Sequence, residues 1–369
     1  MDPQELVKEL DKHVIGQENI KQTLALALMN RSLRMLHKKG TIWLQQPLKK
    51  QNVLLIGPTG SGKTKTLDTI GEVVGCLITH CDMSGITSSG YHGASVDDLL
   101  KTHRTNASQF LQTMEPGFVE SVASTKNVTL WHEADIKVKD IEEMGILHLD
   151  EFDKCRSSGK DNSVGRDVNG TAVQQEILKI LEGKEFYFAP NSLKDSGQVP
   201  FQTENLLCVC TGAFVGLDDI ISRRLNKAAG IGFNHVLNKS KLESDDILAL
   251  VQTEDLIEYG FLPEVIGRLP LVGTLKELTS EQLQSILTEV KDSLIGEQQS
   301  LFKLFGITLE FEPEALEKIC KLALEYKTGA RALRSIVSKV MQQHQYRIYD
   351  IAPQSILTIT KTMVGDVFK

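Results

Sequence analysis

Gly57-Pro58-Thr59-Gly60-Ser61-Gly62-Lys63-Thr64 sets glycines, a lysine and a hydroxyl at the spacing a polyphosphate requires. The glycines let successive backbone N–H groups turn inward onto phosphate oxygens. Lys63 reaches the β and γ phosphates, and Thr64 offers its hydroxyl to Mg²⁺. The binding set runs from Gly57 through Lys65. A second group stands at Ile146-Leu147-His148-Leu149-Asp150-Glu151, an apolar run ending in adjacent acids. Asp150 suits Mg²⁺ held through water, and Glu151 suits taking the proton of an attacking water. A third is Thr211, which closes Leu206-Leu207-Cys208-Val209-Cys210 and offers a hydroxyl to a γ-phosphate or to that water.

Each group needs an element to place it. Val53-Leu54-Leu55-Ile56 reads as a buried strand feeding the glycine loop. Leu67, Ile70 and Val74 then mark a helix whose positive end faces the anion. Leu77 to His80 is a second strand, and 146–150 and 206–210 are further ones. Strand and helix patterns alternate, which predicts an α/β fold with a parallel sheet covered by helices and ligands at the strands' carboxyl ends. Ile20, Leu24, Ala27 and Leu28 share a face of a leading helix. The pair Val14-Ile15 before it lies either against an adenine ring or in simple core packing.

The polar stretches read as loops. Gly90-Tyr91-His92-Gly93 frames an aromatic ring with glycines, either as a mobile display loop or as a surface turn. Helical patterns are expected around Val96–Leu100 and Phe110–Val119, with Val128–Trp131 a strand or hairpin. Arg156–Gly170 and Asn191–Gln198 are exposed loops, and a helix striped by Val173, Ile177, Ile180 and Leu181 ends at Gly183.

Past Lys276 the pattern changes to a small, mainly helical domain, so the expected division is 1–275 and 276–369 with a hinge near Thr274–Leu278. Thr279 with Gln282 predicts an N-cap and capping box opening one long helix through Leu283, Ile286, Val290 and Leu294. Ile307–Phe311 and Ile356–Ile359 read as strands. Pro313 starts a helix with Leu316, Ile319 and Leu322, and Thr328-Gly329 breaks it before Arg331 and Arg334.

The 369 residues are 41% hydrophobic and 24% charged, enough for two cores. A net charge of −7 argues against a general affinity for nucleic acid, which rests on a basic surface. Six cysteines without a C-x-x-C pair indicate neither a zinc cluster nor a thioredoxin-like site, and Cys208 and Cys210 read as core residues. No apolar run has the length of a membrane span and no signal-peptide core opens the chain, so the expected location is cytoplasmic.

Together these motifs resemble the ClpX family of AAA+ protein unfoldases, from Val14 almost to the C-terminus. Val14-Ile15-Gly16-Gln17 resembles the adenine-contacting box, 57–64 the Walker A loop, and 146–154 the Walker B strand with its acidic tail. Tyr91 and His92 fall in the first pore loop, and Gly165-Arg166-Asp167-Val168 resembles the second. Thr211 falls at sensor 1. Ile231-Gly232-Phe233 matches the tripeptide that docks on the ClpP peptidase. Gly267-Arg268-Leu269-Pro270 matches the arginine-finger segment, and Gly329-Ala330-Arg331 the sensor 2 arginine. The resemblance implies a homohexamer in which Arg268 completes a neighbour's site, Arg331 senses nucleotide, and ATP with Mg²⁺ drives unfolded or tagged proteins through a pore into a ClpP-type peptidase. Read alone, without the family, each arginine is better taken as a surface salt-bridge partner.

Three departures bear on substrate choice. The chain begins just before the first motif, without the family's N-terminal zinc-binding domain. His92 stands where an aliphatic residue usually follows the tyrosine. Lys194-Asp195 replaces a basic cluster. The stretch before Ile146 is also longer than the family norm. Two other functions fit the sequence less well. One is a non-proteolytic remodeller of protein complexes, and the other a nucleic-acid motor, which the acidic balance and the Tyr91 loop disfavour.

Overall fold

The computed structural model describes residues 2–87, 94–113, 137–157, 167–188, 199–229, 244–291, 293–326 and 328–368. Tyr91, His92, Arg166, the tripeptide Ile231-Gly232-Phe233, the Val128–Trp131 stretch and the Asn191–Gln198 loop lie outside them. The described chain forms two compact units. One comprises Met1–Val7, Glu18–Gly57 and Leu67–Leu275, the other Lys8–Gln17, Pro58–Thr66 and Lys276–Lys369.

The first unit is built on a parallel sheet. Its strands are β1 (Val53–Ile56), β2 (Ile78–Asp82), β3 (Ile146–Asp150), β6 (Leu207–Gly212) and β7 (Leu271–Thr274), in spatial order β2-β3-β6-β1-β7. All four pairings are parallel. The central strands are apolar on both faces because helices cover both, as a parallel sheet demands. Leu54, Ile56, Leu147, Leu149, Cys208 and Cys210 join Val173, Ile177, Ile180 and Ile221 in one buried core. The helix Glu18–Lys38 runs along β1, β6 and β7 and buries Ile20, Leu24 and Leu28. Cys208 and Cys210 are core residues with free thiols. No described helix is long and apolar enough to cross a membrane.

The sheet exceeds the expectation at its margins. β7 is a four-residue edge strand holding a glycine, too short to show a period, and a hairpin of β4 (Glu185–Phe188) and β5 (Val199–Gln202) stands apart from the main sheet. The two helical patterns after Ala94 belong, over the described residues, to one helix, Val96–Thr113. The loop expected through Gly170 ends earlier, since the helix Asp167–Glu182 already includes Asp167 and Val168.

In the second unit, Leu283, Phe302, Ile319, Leu333, Val337 and Ile359 centre the core. β8 (Thr308–Phe311) pairs in parallel with β9 (Ile356–Ile359). The capping box forms as expected: Thr279 Oγ1 accepts from Gln282 N at 3.2 Å, and Gln282 Oε1 accepts from Thr279 N at 3.0 Å. The single long helix does not form. The helix Ser280–Thr288 ends, and a second, Leu294–Leu304, starts under its own cap, with Ser293 Oγ accepting from Gly296 N at 3.1 Å. The apolar spacing Leu283, Ile286, Val290, Leu294 runs through the break because both helices bury into one core. Periodicity records the buried face and not the continuity of the backbone.

Candidate nucleotide-hydrolysis site

β1 delivers the chain into the glycine loop, and Gly57 N donates to Gly212 O at the end of β6. Beyond it the loop is held largely by backbone. Gly60 and Gly62 have φ of +78° and +101°, the left-handed region that side chains disfavour. Ala330 N donates to Gly60 O at 3.1 Å. A Cβ at Gly60 would run into the backbone carbonyl of Thr328, so this position excludes any side chain. Ser61 Oγ and Lys63 Nζ each donate to Pro58 O at 2.8 Å, closing the turn on itself. Thr59 and Lys65 are exposed, and Thr64 is half-buried in the first turn of the helix Lys63–Val74.

Val14 is buried and Ile15 partly so. Gln17, the last residue of the box that begins at Val14, ties this segment down. Its Nε2 donates to Ser61 O at 3.3 Å and to Lys276 O at 2.8 Å, while its Oε1 accepts from Lys276 N at 3.2 Å. Arg331 is an exposed residue of the first turn of the helix Ala330–Tyr346.

The acids at the end of β3 are held by side chains. Asp150 Oδ1 accepts from Glu151 N at 3.0 Å and from Thr211 Oγ1 at 2.6 Å. Thr211 is fully buried in β6, in the next register position after the pair Leu149 and Cys210. Glu151 is exposed, with φ 54° and ψ 35°. A left-handed residue other than glycine costs about 1 to 2 kcal/mol, strain of the kind that collects at functional positions. On the same face of β3 as Asp150 lies His148, fully buried, whose Nε2 is 2.8 Å from Thr211 Oγ1. Its Nδ1 is 2.7 Å from Nδ1 of His80 on β2, and His80 Nε2 is 2.9 Å from Asp68 Oδ1. These three residues were not singled out from sequence. A histidine two residues before an acid on a strand shares its face, and that was the available signal.

Arg268 is exposed, and its Nη2 is 3.2 Å from Glu182 Oε1. Lys184, ahead of Arg268, holds the Glu182 carboxyl below its usual range. Buried Asn52 donates to Leu181 O and to Arg268 O, fixing the Arg268 backbone. Thus Asp150, Glu151 and Thr211 meet at the carboxyl ends of adjacent strands. Of Asp167 and Val168 only the helical backbone is described. Among the described residues no cluster of three histidine, cysteine or acidic side chains has the geometry to hold a metal ion.

Residues 48–272 match the model of the AAA domain (Cdc48 subfamily), and 278–348 match the C-terminal, D2-small domain of ClpB protein. The chain is 35% identical over 368 residues to the ATP-dependent Clp protease ATP-binding subunit ClpX of Treponema denticola. The match covers 99% of this chain and 81% of the relative. The proteins of the same name from Bacteroides fragilis and Borrelia duttonii are 34% and 33% identical. They cover 94% and 98% of this chain, and 77% and 78% of their own lengths. The chain belongs to the ClpX family of AAA+ ATPases.

Proposed function

We propose that this chain is the ATP-driven unfoldase subunit of a Clp protease, working as a cytoplasmic homohexamer that threads unfolded or tagged polypeptides into a ClpP-type peptidase. The observation that carries this reading is the likeness to ClpX ATP-binding subunits over 99% of the chain, with the acidic strand end and the glycine loop both in the matched region. In this reading 1–275 is the large domain and 276–369 the small one.

The left-handed glycines suit a polyphosphate, because such a backbone lets successive N–H groups turn toward an anion. Gly60, Ser61, Gly62 and Lys65 join Pro58 and Thr59 in wrapping it, and Lys63 neutralises its terminal phosphates. Val14 and Ile15 hold the adenine. The Thr64 hydroxyl and the Asp150 carboxylate are hard oxygen donors of the type Mg²⁺ takes. Mg²⁺ supplies charge neutralisation at the β and γ phosphates. Glu151 accepts the proton of the attacking water, and Thr211 steadies Asp150. Arg268 from a neighbouring subunit, and Arg331, stabilise the charge that develops on the γ-phosphate. Tyr91 and His92, with Arg166, Asp167 and Val168, grip the threaded chain, and Ile231-Gly232-Phe233 docks on the peptidase. Neither nucleic acid nor membrane is a partner in this scheme.

Glu151→Gln is expected to bind ATP with Mg²⁺ while hydrolysing it about 10² to 10⁴ times more slowly. Equilibrium nucleotide binding and phosphate release measure the two separately, and unchanged hydrolysis overturns the assignment. Phe233→Ala is expected to keep ATPase and unfolding while losing degradation by a ClpP-type ring. If wild type unfolds substrate but never engages such a ring, the stand-alone remodeller is the better reading.

A further inference from the structure

One buried side chain joins the segments that carry Glu151 and Arg268. Gln174 is fully buried midway along the helix Asp167–Glu182. Its Nε2 donates to Cys155 O at 2.9 Å and to Gly260 O at 3.1 Å, and its Oε1 accepts from Leu262 N at 2.8 Å. Cys155 ends the turn Phe152–Cys155, which follows Glu151 directly. Leu262 is the N-cap of the short helix Pro263–Ile266, and Arg268 N closes onto Val265 O at 3.0 Å just past it. A glutamine amide carries two N–H donors and an acceptor oxygen, and here both ends of it are engaged on backbone.

The two segments are packed as well as bonded. Ser157 N also donates to Gly260 O at 3.0 Å, and the Phe152 and Phe261 rings stack with centroids 5.1 Å apart. Gly260 has φ +121°, and a Cβ there would run into Ser157 O, so the segments meet backbone to backbone. The helix that carries Gln174 reaches Arg268 from its far end too. Glu182 Oε1 is 3.2 Å from Arg268 Nη2, and the buried Asn52 amide donates to both Leu181 O and Arg268 O. A helix is a rigid element, so this one serves as a strut, with its end on Arg268 and its middle on the turn behind Glu151.

We infer that Gln174 is a positioning residue for ATP hydrolysis, which sets Arg268 in a fixed place relative to Glu151 of the same chain by locking 260–262 onto the turn 152–155. The inference rests on the roles proposed for Glu151 and Arg268. It adds a link that those roles alone do not contain, between the site in which a chain hydrolyses ATP and the neighbouring site that its arginine completes.

The test is the steady-state ATPase of Gln174→Met in the full chain, which keeps the length of the buried side chain and removes all three hydrogen bonds. A misplacement of about 1 Å can cost about 10²-fold in rate, within the 10³ to 10⁵ or so that such an arginine is worth. A fall in kcat of about 10- to 100-fold is therefore expected, with KM for ATP little changed because the three bonds lie outside the glycine loop. If Gln174 acts through Arg268, the two losses overlap. Gln174→Met/Arg268→Ala should then be no slower than Arg268→Ala alone, whereas a general loosening of the fold would multiply the losses. Mixing subunits decides which site feels the change. Gln174→Met diluted into excess Glu151→Gln, which hydrolyses little but carries a sound Arg268, should regain the per-subunit rate of wild type diluted in the same way. Where Gln174→Met does not fold, Gln174→Asn takes its place, since its shorter stem keeps the amide but cannot reach the three backbone groups together. Arg268→Ala diluted into Glu151→Gln runs in parallel. Wild-type kcat in the Gln174 variant would overturn the inference, as would multiplied losses in the double variant. If Arg268→Ala regains its rate on mixing and the Gln174 variant does not, only the Gln174 inference has failed. If neither regains it, the trans assignment of Arg268 has failed, and the double variant alone decides on Gln174.

Discussion

The glycine loop and the acidic end of β3 are built by opposite means. In the loop, backbone groups make the shape: left-handed glycines, the Pro58 carbonyl that accepts from both Ser61 and Lys63, and the amide of Ala330 on Gly60 O. At Asp150 the shape is made by side chains, four of them in series from Asp68 to Thr211. A backbone cradle is sensitive to any added Cβ and indifferent to protonation. A side-chain relay tolerates changes of shape better than changes in who donates and who accepts.

The largest expected effect breaks the loop. Gly60→Val must place a branched side chain at φ +78° and within reach of Thr328 O. The disfavoured dihedral and the backbone clash together should weaken ATP binding on the order of 10³-fold, read by equilibrium titration. Binding near wild type would mean that the loop's rigidity does not matter to affinity.

The next tests the side-chain region from the opposite face of β2. His103 is fully buried; its Nε2 donates to Glu142 O at 3.1 Å, and its Nδ1 accepts from Thr79 at 2.7 Å. Burial, which outweighs the Glu142 carbonyl, lowers its pKa from 6.5 to about 4. Between these values the unfolded chain binds a proton that the folded one refuses. Stability is therefore fully present above pH 6.5 and drains away as pH falls toward 4, by about 3 kcal/mol at most. Urea melts over this range should show the slope in wild type and lose most of it in His103→Gln. His103 has neutral partners and stays neutral, whereas His80 faces a carboxylate.

Thr211→Val sharpens the contrast further. It keeps the shape of a fully buried residue and removes the hydroxyl that serves both Asp150 and His148. A buried group left unpaired costs about 1 to 3 kcal/mol, so kcat should fall about 10-fold while ATP affinity, set by the loop, changes little. A large loss of affinity with kcat intact would assign Thr211 to binding.

The same contrast explains what could be seen in the sequence. Gly60, Gly62, Lys63 and Thr64 announce the loop because backbone geometry restricts residue type at fixed spacing. β1, β3 and β6 announce themselves as apolar runs, since both faces are covered. β7 does not, because four residues with a glycine carry no period. The role of His148 and the contacts of Gln17 were missed for another reason. Their partners are remote in sequence, 63 residues away for His148 to Thr211 and 259 for Gln17 to Lys276, and no local pattern encodes them. The merged helix after Thr279 failed at its far end, where Ser293 caps a new helix under an unbroken apolar stripe.

The near end of that helix supplies the smallest prediction. Its capping box is a side-chain device, yet it was legible, because both partners lie within four residues and the pattern of Thr279 and Gln282 is local. A device that can be read locally should also act locally. Thr279→Ala removes the acceptor for Gln282 N and should cost about 1 kcal/mol of stability. Since the bond that is lost joins two residues at the same helix start, kcat and its pH profile should stay as in wild type. Thermal melts and ATPase on the same samples decide this. A cost well above 2 kcal/mol, or a shifted pH profile, would show that the cap is coupled to the hydrolytic site, and the division between local and long-range devices would then fail at the place where it looks simplest.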